Sequence, residues 1–134
     1  MKKPIKSLPD TNTIIRYLTG DDPSLFTRAK DFFDRVKRNE TKAVILESVI
    51  VECIYVLIKI YRVPRDRAAG SLIDILRYKG VVNRDRKELI DALTLFQEQN
   101  LDIVDCILYS RAMSAGDHLF TFDSDLNNLT QKTT

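Results

Sequence analysis

Hydrophobic positions along the chain fall into short apolar runs separated by longer stretches with helical spacing. Ile5 to Leu8 reads as a short first strand flanked by Pro4 and Pro9, and Pro9, which has no N–H to donate, marks its end. Ile14, Ile15 and Leu18 then give a first helix over 13–18, stopped by Thr19-Gly20-Asp21-Asp22-Pro23. A second helix over 24–38 carries Leu25, Ala29, Phe32, Phe33 and Val36 on one face and Lys/Arg on the other. Ala43 to Leu46 is a buried second strand.

Ser48 is the expected N-cap of a third helix reaching about Tyr61. Between Val49 and Ile58 only Glu52 is charged, so this helix is expected to be buried nearly all round. Pro64 suits the first turn of a fourth helix, which runs to Tyr78 and is closed by Gly80. Val81-Val82 fits a very short third strand. A fifth helix over 84–99 turns Leu89, Ala92, Leu93 and Phe96 inward, and Asp102 is placed to cap a sixth through Ile103, Ile107, Leu108, Ala112 and Met113. Gly116 stops it. His118 to Phe122 is expected to be the last strand, followed by Asp123-Ser124-Asp125 and a tail without pattern. Strands alternating with helices predict an α/β fold, a parallel sheet covered by helices.

Length and composition add bounds. At 134 residues, with 44% hydrophobic and 30% charged positions, the chain fits one ordered domain over 1–134. The Val49 to Ile58 run is too short to span a bilayer, and Met1-Lys2-Lys3-Pro4 leads into no signal-type core, so a cytoplasmic location is expected. Cys53 and Cys106 lie in apolar helical patterns without zinc-type spacing and read as reduced core residues. The net charge of +2 does not by itself point to nucleic acid. Its distribution does more: Lys59, Arg62, Arg65 and Arg67 cluster, as do Arg84, Arg86 and Lys87, and such a surface around an acidic pocket suits a polyanion.

The candidate chemistry lies in the acids. Asp10 follows the first strand, Glu52 stands alone in an apolar helix, Asp105 falls in the first turn of the sixth helix, and Asp123 follows the last apolar run with Asp125 beside it. In a parallel sheet, strands finish and the following helices begin on one side, where open α/β sheets place their crevices. Each acid also has a plainer role: Asp10 and Asp102 as caps, Asp123 in a turn, Glu52 on a narrow polar stripe. Four carboxylates in one crevice would repel unless a cation joined them, and oxygen-only ligands select Mg²⁺ or Mn²⁺. Such ions suit in-line displacement at phosphorus. Thr11, Asn12 and Thr121 are placed to hold the acids or a phosphate. His118, the only histidine, reads as a strand-edge residue, and no phosphate-cradling Gly motif appears.

Taken together, Asp10-Thr11-Asn12 before Ile14-Ile15-Arg16-Tyr17-Leu18, Glu52 after Ser48, Leu101-Asp102-Ile103-Val104-Asp105, and Thr121-Phe122-Asp123-Ser124-Asp125 resemble the PIN-domain ribonucleases, and within them the VapC-type toxins of toxin–antitoxin pairs. The resemblance implies a PIN-like α/β/α sandwich with a short central parallel sheet. It also implies a Mg²⁺- or Mn²⁺-dependent endoribonuclease in which Asp10, Glu52, Asp105 and Asp123 are the catalytic and metal-binding acids and Asp125 is auxiliary. A homodimer and a cognate antitoxin would be its partners beside RNA, with the second and fourth helices as contact faces. Two other classes stay open. One is a non-catalytic PIN-like module that binds RNA or protein; the other is a receiver-like signalling module, against which stand Glu52 inside a helix and the absence of a lysine directly after the last strand, where such a module would place one.

Overall fold

The computed structural model of the protein describes residues 5–133; Met1 to Pro4, including the proline expected to flank the first strand, lie outside the described residues. The elements run β1 (Lys6–Ser7), α1 (Thr11–Thr19), α2 (Pro23–Lys37), β2 (Lys42–Ala43), α3 (Glu47–Lys59), α4 (Arg65–Leu76), α5 (Arg86–Glu98), α6 (Ile103–Ala115) and α7 (Ser124–Thr133). Helices flank a short parallel sheet, the α/β/α arrangement expected. No helix among the described residues is long and apolar enough to cross a membrane.

The sheet is smaller than the apolar runs suggest. β1 and β2 pair in parallel with Lys6 opposite Lys42 and Ser7 opposite Ala43, and Ala43 makes one further parallel bridge to Val81. Val81-Val82 therefore contributes a bridge rather than a strand. Past Ala43 the ladder is continued by a side chain: the Asn83 amide accepts from the Ile45 N–H at 2.8 Å and donates to the Ile45 carbonyl at 2.7 Å. Ile45 is thus buried and satisfied without a strand neighbour.

One apolar core joins the helices. It includes Ile14, Phe33, Val36, Ile50, Ile54, Leu72, Leu76, Leu93 and Ile103, with Tyr17 stacked on Phe33 at 4.5 Å. α4 packs on α5 and α5 on α6, while α1 packs on both α2 and α3. The α5–α6 turn is fixed from outside by Arg65 at the start of α4. Its Nε donates to the Phe96 carbonyl at 2.7 Å and its Nη2 to the carbonyls of Gln99, at 3.0 Å, and Leu101, while the guanidinium lies 3.5 Å from the centre of the Phe96 ring. Arg65 is therefore a clamp within the fold, not part of a free basic cluster.

The chain departs from expectation most after α6. Gly116 ends that helix in the left-handed region at φ 71° as expected, but residues 117–123 form no strand, and Phe120 and Phe122 are 76% and 93% exposed. Local hydrogen bonds account for this. Thr121 Oγ1 accepts from the Asp123 N–H, Asp123 Oδ1 from the Leu126 N–H, and the Thr121 carbonyl from Asn127 Nδ2, each at 3.0 Å. Side chains of this kind offer the backbone an alternative to a sheet ladder, and here they cap α7. The tail without pattern is thus a helix, seated by Leu126, which is 1% exposed.

Gly80 sits where α2 and β2 approach most closely, its N–H donating to the Val36 carbonyl at 2.8 Å and its carbonyl accepting from the Ala43 N–H at 2.8 Å. A Cβ there would lie inside the contact distance of the Thr41 and Val36 carbonyl oxygens, which are backbone atoms that cannot swing away. Gly80→Ala is expected to cost about 1–3 kcal/mol or more, read as a lower urea midpoint at unchanged slope.

Candidate active site

α3 is buried on one side only. Ile50, Cys53, Ile54 and Leu57 face the core, whereas Ser48, Glu52, Tyr55 and Lys59 form an exposed stripe at helical spacing. Glu52 therefore lies at the surface, contrary to the expectation of a helix buried nearly all round, and needs no buried partner. Ser48 is not the cap either: the helix begins at Glu47, and Leu46 occupies the N-cap position without a side-chain bond.

Asp10 is the N-cap of α1 and is held rigidly. Its Oδ1 accepts from the Thr13 hydroxyl at 2.7 Å and from the Thr13 N–H at 2.9 Å. These two bonds, the hydroxyl first, hold its carboxyl below the ordinary 3.8. Thr11 is the first helical residue and Asn12 is exposed, so the acid is held by neither of the neighbours expected to do so but by Thr13.

At the start of α6 the expected capping by Asp102 is backbone only. Asp102 has N-cap dihedrals, yet its carboxylate makes no cap bond and instead accepts from the Tyr55 hydroxyl at 2.9 Å. Asp105, in the first turn, is half-buried, and its carboxyl is raised above 3.8 by burial first and then by the charges of Asp102 and Asp123. Asp123 is an exposed N-cap of α7, and Asp125 lies in that helix's first turn, beside a groove shared with Gln99, Asn100 and Leu101. Thr121 holds the Asp123 backbone through its hydroxyl.

Two contacts set how α3 and α6 lie. Tyr55 reaches Asp102, and Glu47 Oε1 meets Arg111 Nη2 at 2.8 Å, so the helices run antiparallel and Glu52 stands level with Asp105. Burial chiefly pushes the Cys53 thiol up to about 12, and the charges of Glu52 and Asp10 add to this. The structure thus gathers Asp102, Asp105 and Asp123 at the head of α6, and Asp10 with Glu52 around Cys53. Among the described residues, no three His, Cys, Asp or Glu side chains converge closely enough to form a ready metal site.

The donor chemistry nevertheless fits a hard divalent cation. Every candidate ligand is a carboxylate, and Asp105 feels the charges of Asp102 and Asp123 with no ion pair of its own among the described residues. Cys106, like Cys53, is buried with its thiol pushed up to about 12, chiefly by burial, and is no nucleophile. His118 is exposed, 6.5 Å from the Phe120 ring, in the segment without strand structure. The PIN domain family model matches residues 7–132 of the chain. No curated protein and no solved structure matches it.

The two perturbed aspartates act oppositely on stability. Asp10 has a lowered folded-state pKa, so its contribution is complete above the unfolded value of 3.8 and is lost as pH falls through the lower folded value. Asp10→Ala is expected to lower stability by about 1 kcal/mol at pH 7, a difference that closes in acid unfolding as pH falls below 3.8 and through the lowered folded value. Asp105 has a raised folded value, so its cost is absent in acid and appears as pH rises. Asp105→Asn is expected to raise the melting temperature of the metal-free protein at pH 7 and to leave it unchanged at pH 3.

Proposed function

The chain belongs to the PIN domain family, a nuclease-type fold, and on that premise we propose that it is a Mg²⁺- or Mn²⁺-dependent endoribonuclease, the toxin of a VapBC-type toxin–antitoxin pair. The observation that carries the reading is the half-buried Asp105 at the head of α6, its carboxyl raised first by burial and then by the charges of Asp102 and Asp123, a crowding that a divalent cation would relieve. Asp105 and Asp123 would hold the ion, with Asp10 and Glu52 completing the catalytic set and Asp125 auxiliary. When bound, such an ion polarises the phosphodiester and lowers the pKa of an attacking water. The chain itself supplies positioning. Thr13 keeps Asp10 ionised and fixed, Tyr55 ties Asp102 to α3, and Thr121 sets the backbone of Asp123.

A cytoplasmic homodimer neutralised by an antitoxin follows from the same reading. The apolar residues of α4 are buried against its neighbours, so partner contact falls to α2, where Leu25 and Phe26 near its start are only half-buried. A second reading, a non-catalytic PIN-like binding module, is favoured by the lack, among the described residues, of three acids close enough together to form a ready metal site.

Cleavage of end-labelled RNAs by wild type and Asp105→Asn, each with Mn²⁺ and with a chelator, separates the two. Discrete cuts by wild type with metal alone are expected, with the variant slower by about 100-fold or more. RNA bound but never cut would favour the binding module, and cuts that persist in the chelator would remove the acids from the mechanism.

A further inference from the structure

A groove of about 740 Å³ lies between α1 and α2. Its α1 wall is Asn12, Thr13 and Arg16, and its α2 wall includes Arg28, Phe32 and Arg35. The spacing places these α2 residues on one helical stripe. Thr13 belongs to the groove and to the acid site at once, because it is the residue that holds Asp10. The groove therefore reaches the residue that holds that carboxylate.

Its cations are underused by the protein. Arg28 has no ion pair among the described residues, and Arg35 has only Asp31, at 3.3 Å one helical turn away, with both side chains largely in solvent. Such an exposed pair is worth a few tenths of a kcal/mol and is readily exchanged for another anion. Arg16 gives Nη1 to both Asp21 oxygens at 2.8 Å, while its buried Nε has no acceptor. Between Arg28 and Arg35, which stand about 10 Å apart along the axis, Phe32 presents a half-buried ring.

We propose that this groove binds the backbone of single-stranded RNA, with Arg28 and Arg35 on two phosphates and Phe32 beneath a base, leading the strand to the carboxylate end at Asp10; the inference rests on the ribonuclease reading. Cation, ring, cation is the pattern that single-strand grooves present to alternating phosphates and bases. An acidic peptide would meet the charges but has no regular counterpart for the ring.

The test is fluorescence anisotropy of a labelled oligouridylate in chelator, with wild type, Arg28→Ala/Arg35→Ala and Arg28→Lys/Arg35→Lys. Loss of two phosphate contacts is expected to reduce the slope of log affinity against log salt by about 1.4. Between about 50 and about 200 mM salt, wild type then loses about sevenfold more affinity than the alanine variant. The lysine pair keeps the charges and is expected to restore the slope, and the Mn²⁺-induced rise in melting temperature should match wild type in both variants. If wild type binds RNA and the alanine variant shows the same slope, the assignment is overturned and the groove is left to an acidic peptide. A slope that lysine fails to restore overturns it also, since packing and not charge was then lost. RNA neither bound nor cut by wild type would instead sink the ribonuclease reading, and this inference with it.

Discussion

Arg65 satisfies three backbone carbonyls that no regular element can reach. Phe96, Gln99 and Leu101 belong to the end of α5 and the turn into α6, and a planar guanidinium spreading its donors over them fixes where α6 starts. Asp102 and Asp105 are carried on that start, so the acid cluster inherits its position from a cation on a different helix. With β-strands of two residues, the sheet alone could not impose this order. Side chains bonded to backbone do so instead: Arg65 at one end of the fold and the Asn83 amide, gripping both groups of Ile45, at the other.

The acids divide by how the chain holds them. Asp10 is anchored by Thr13 and kept ionised, whereas Asp105 is crowded by its own kind and pays in desolvation. An ion would act mainly on the second group, with the first already fixed. The segment leading to Asp123 links the two behaviours, because its bonds are spent on capping α7 and not on the sheet. β1 consequently has β2 as its only sheet neighbour among the described residues.

Much of this was legible in the sequence. The first six helices follow from apolar spacing and from breakers such as Thr19 to Pro23, and the ends observed differ from those expected by a turn or less. The exposure of Glu52 escapes periodicity, which counts apolar neighbours and not the angle they cover: one stripe through Ser48, Glu52, Tyr55 and Lys59 suffices to bring it to solvent. His118 to Phe122 has the apolar content of a strand, but the competing cap depends on Thr121, Asp123 and Asn127 acting together, which no run of hydrophobic residues reveals. Thr13 carried a signal that went unused, for a hydroxyl three residues after an aspartate N-cap is the register of a capping bond. The groove between α1 and α2 was beyond reach, since it needs two helices brought side by side.

The tyrosine hydroxyls also give the protein an optical map. The chain has five tyrosines and no tryptophan, so its ultraviolet emission is phenol emission. Tyr55 donates to Asp102, Tyr61 to Asp21 at 2.7 Å, and Tyr17 and Tyr78 share one bond at 2.7 Å across the core. One chromophore thus watches the acid cluster, one the loop after α1, and a pair the seam between α1 and the end of α4, all without a label.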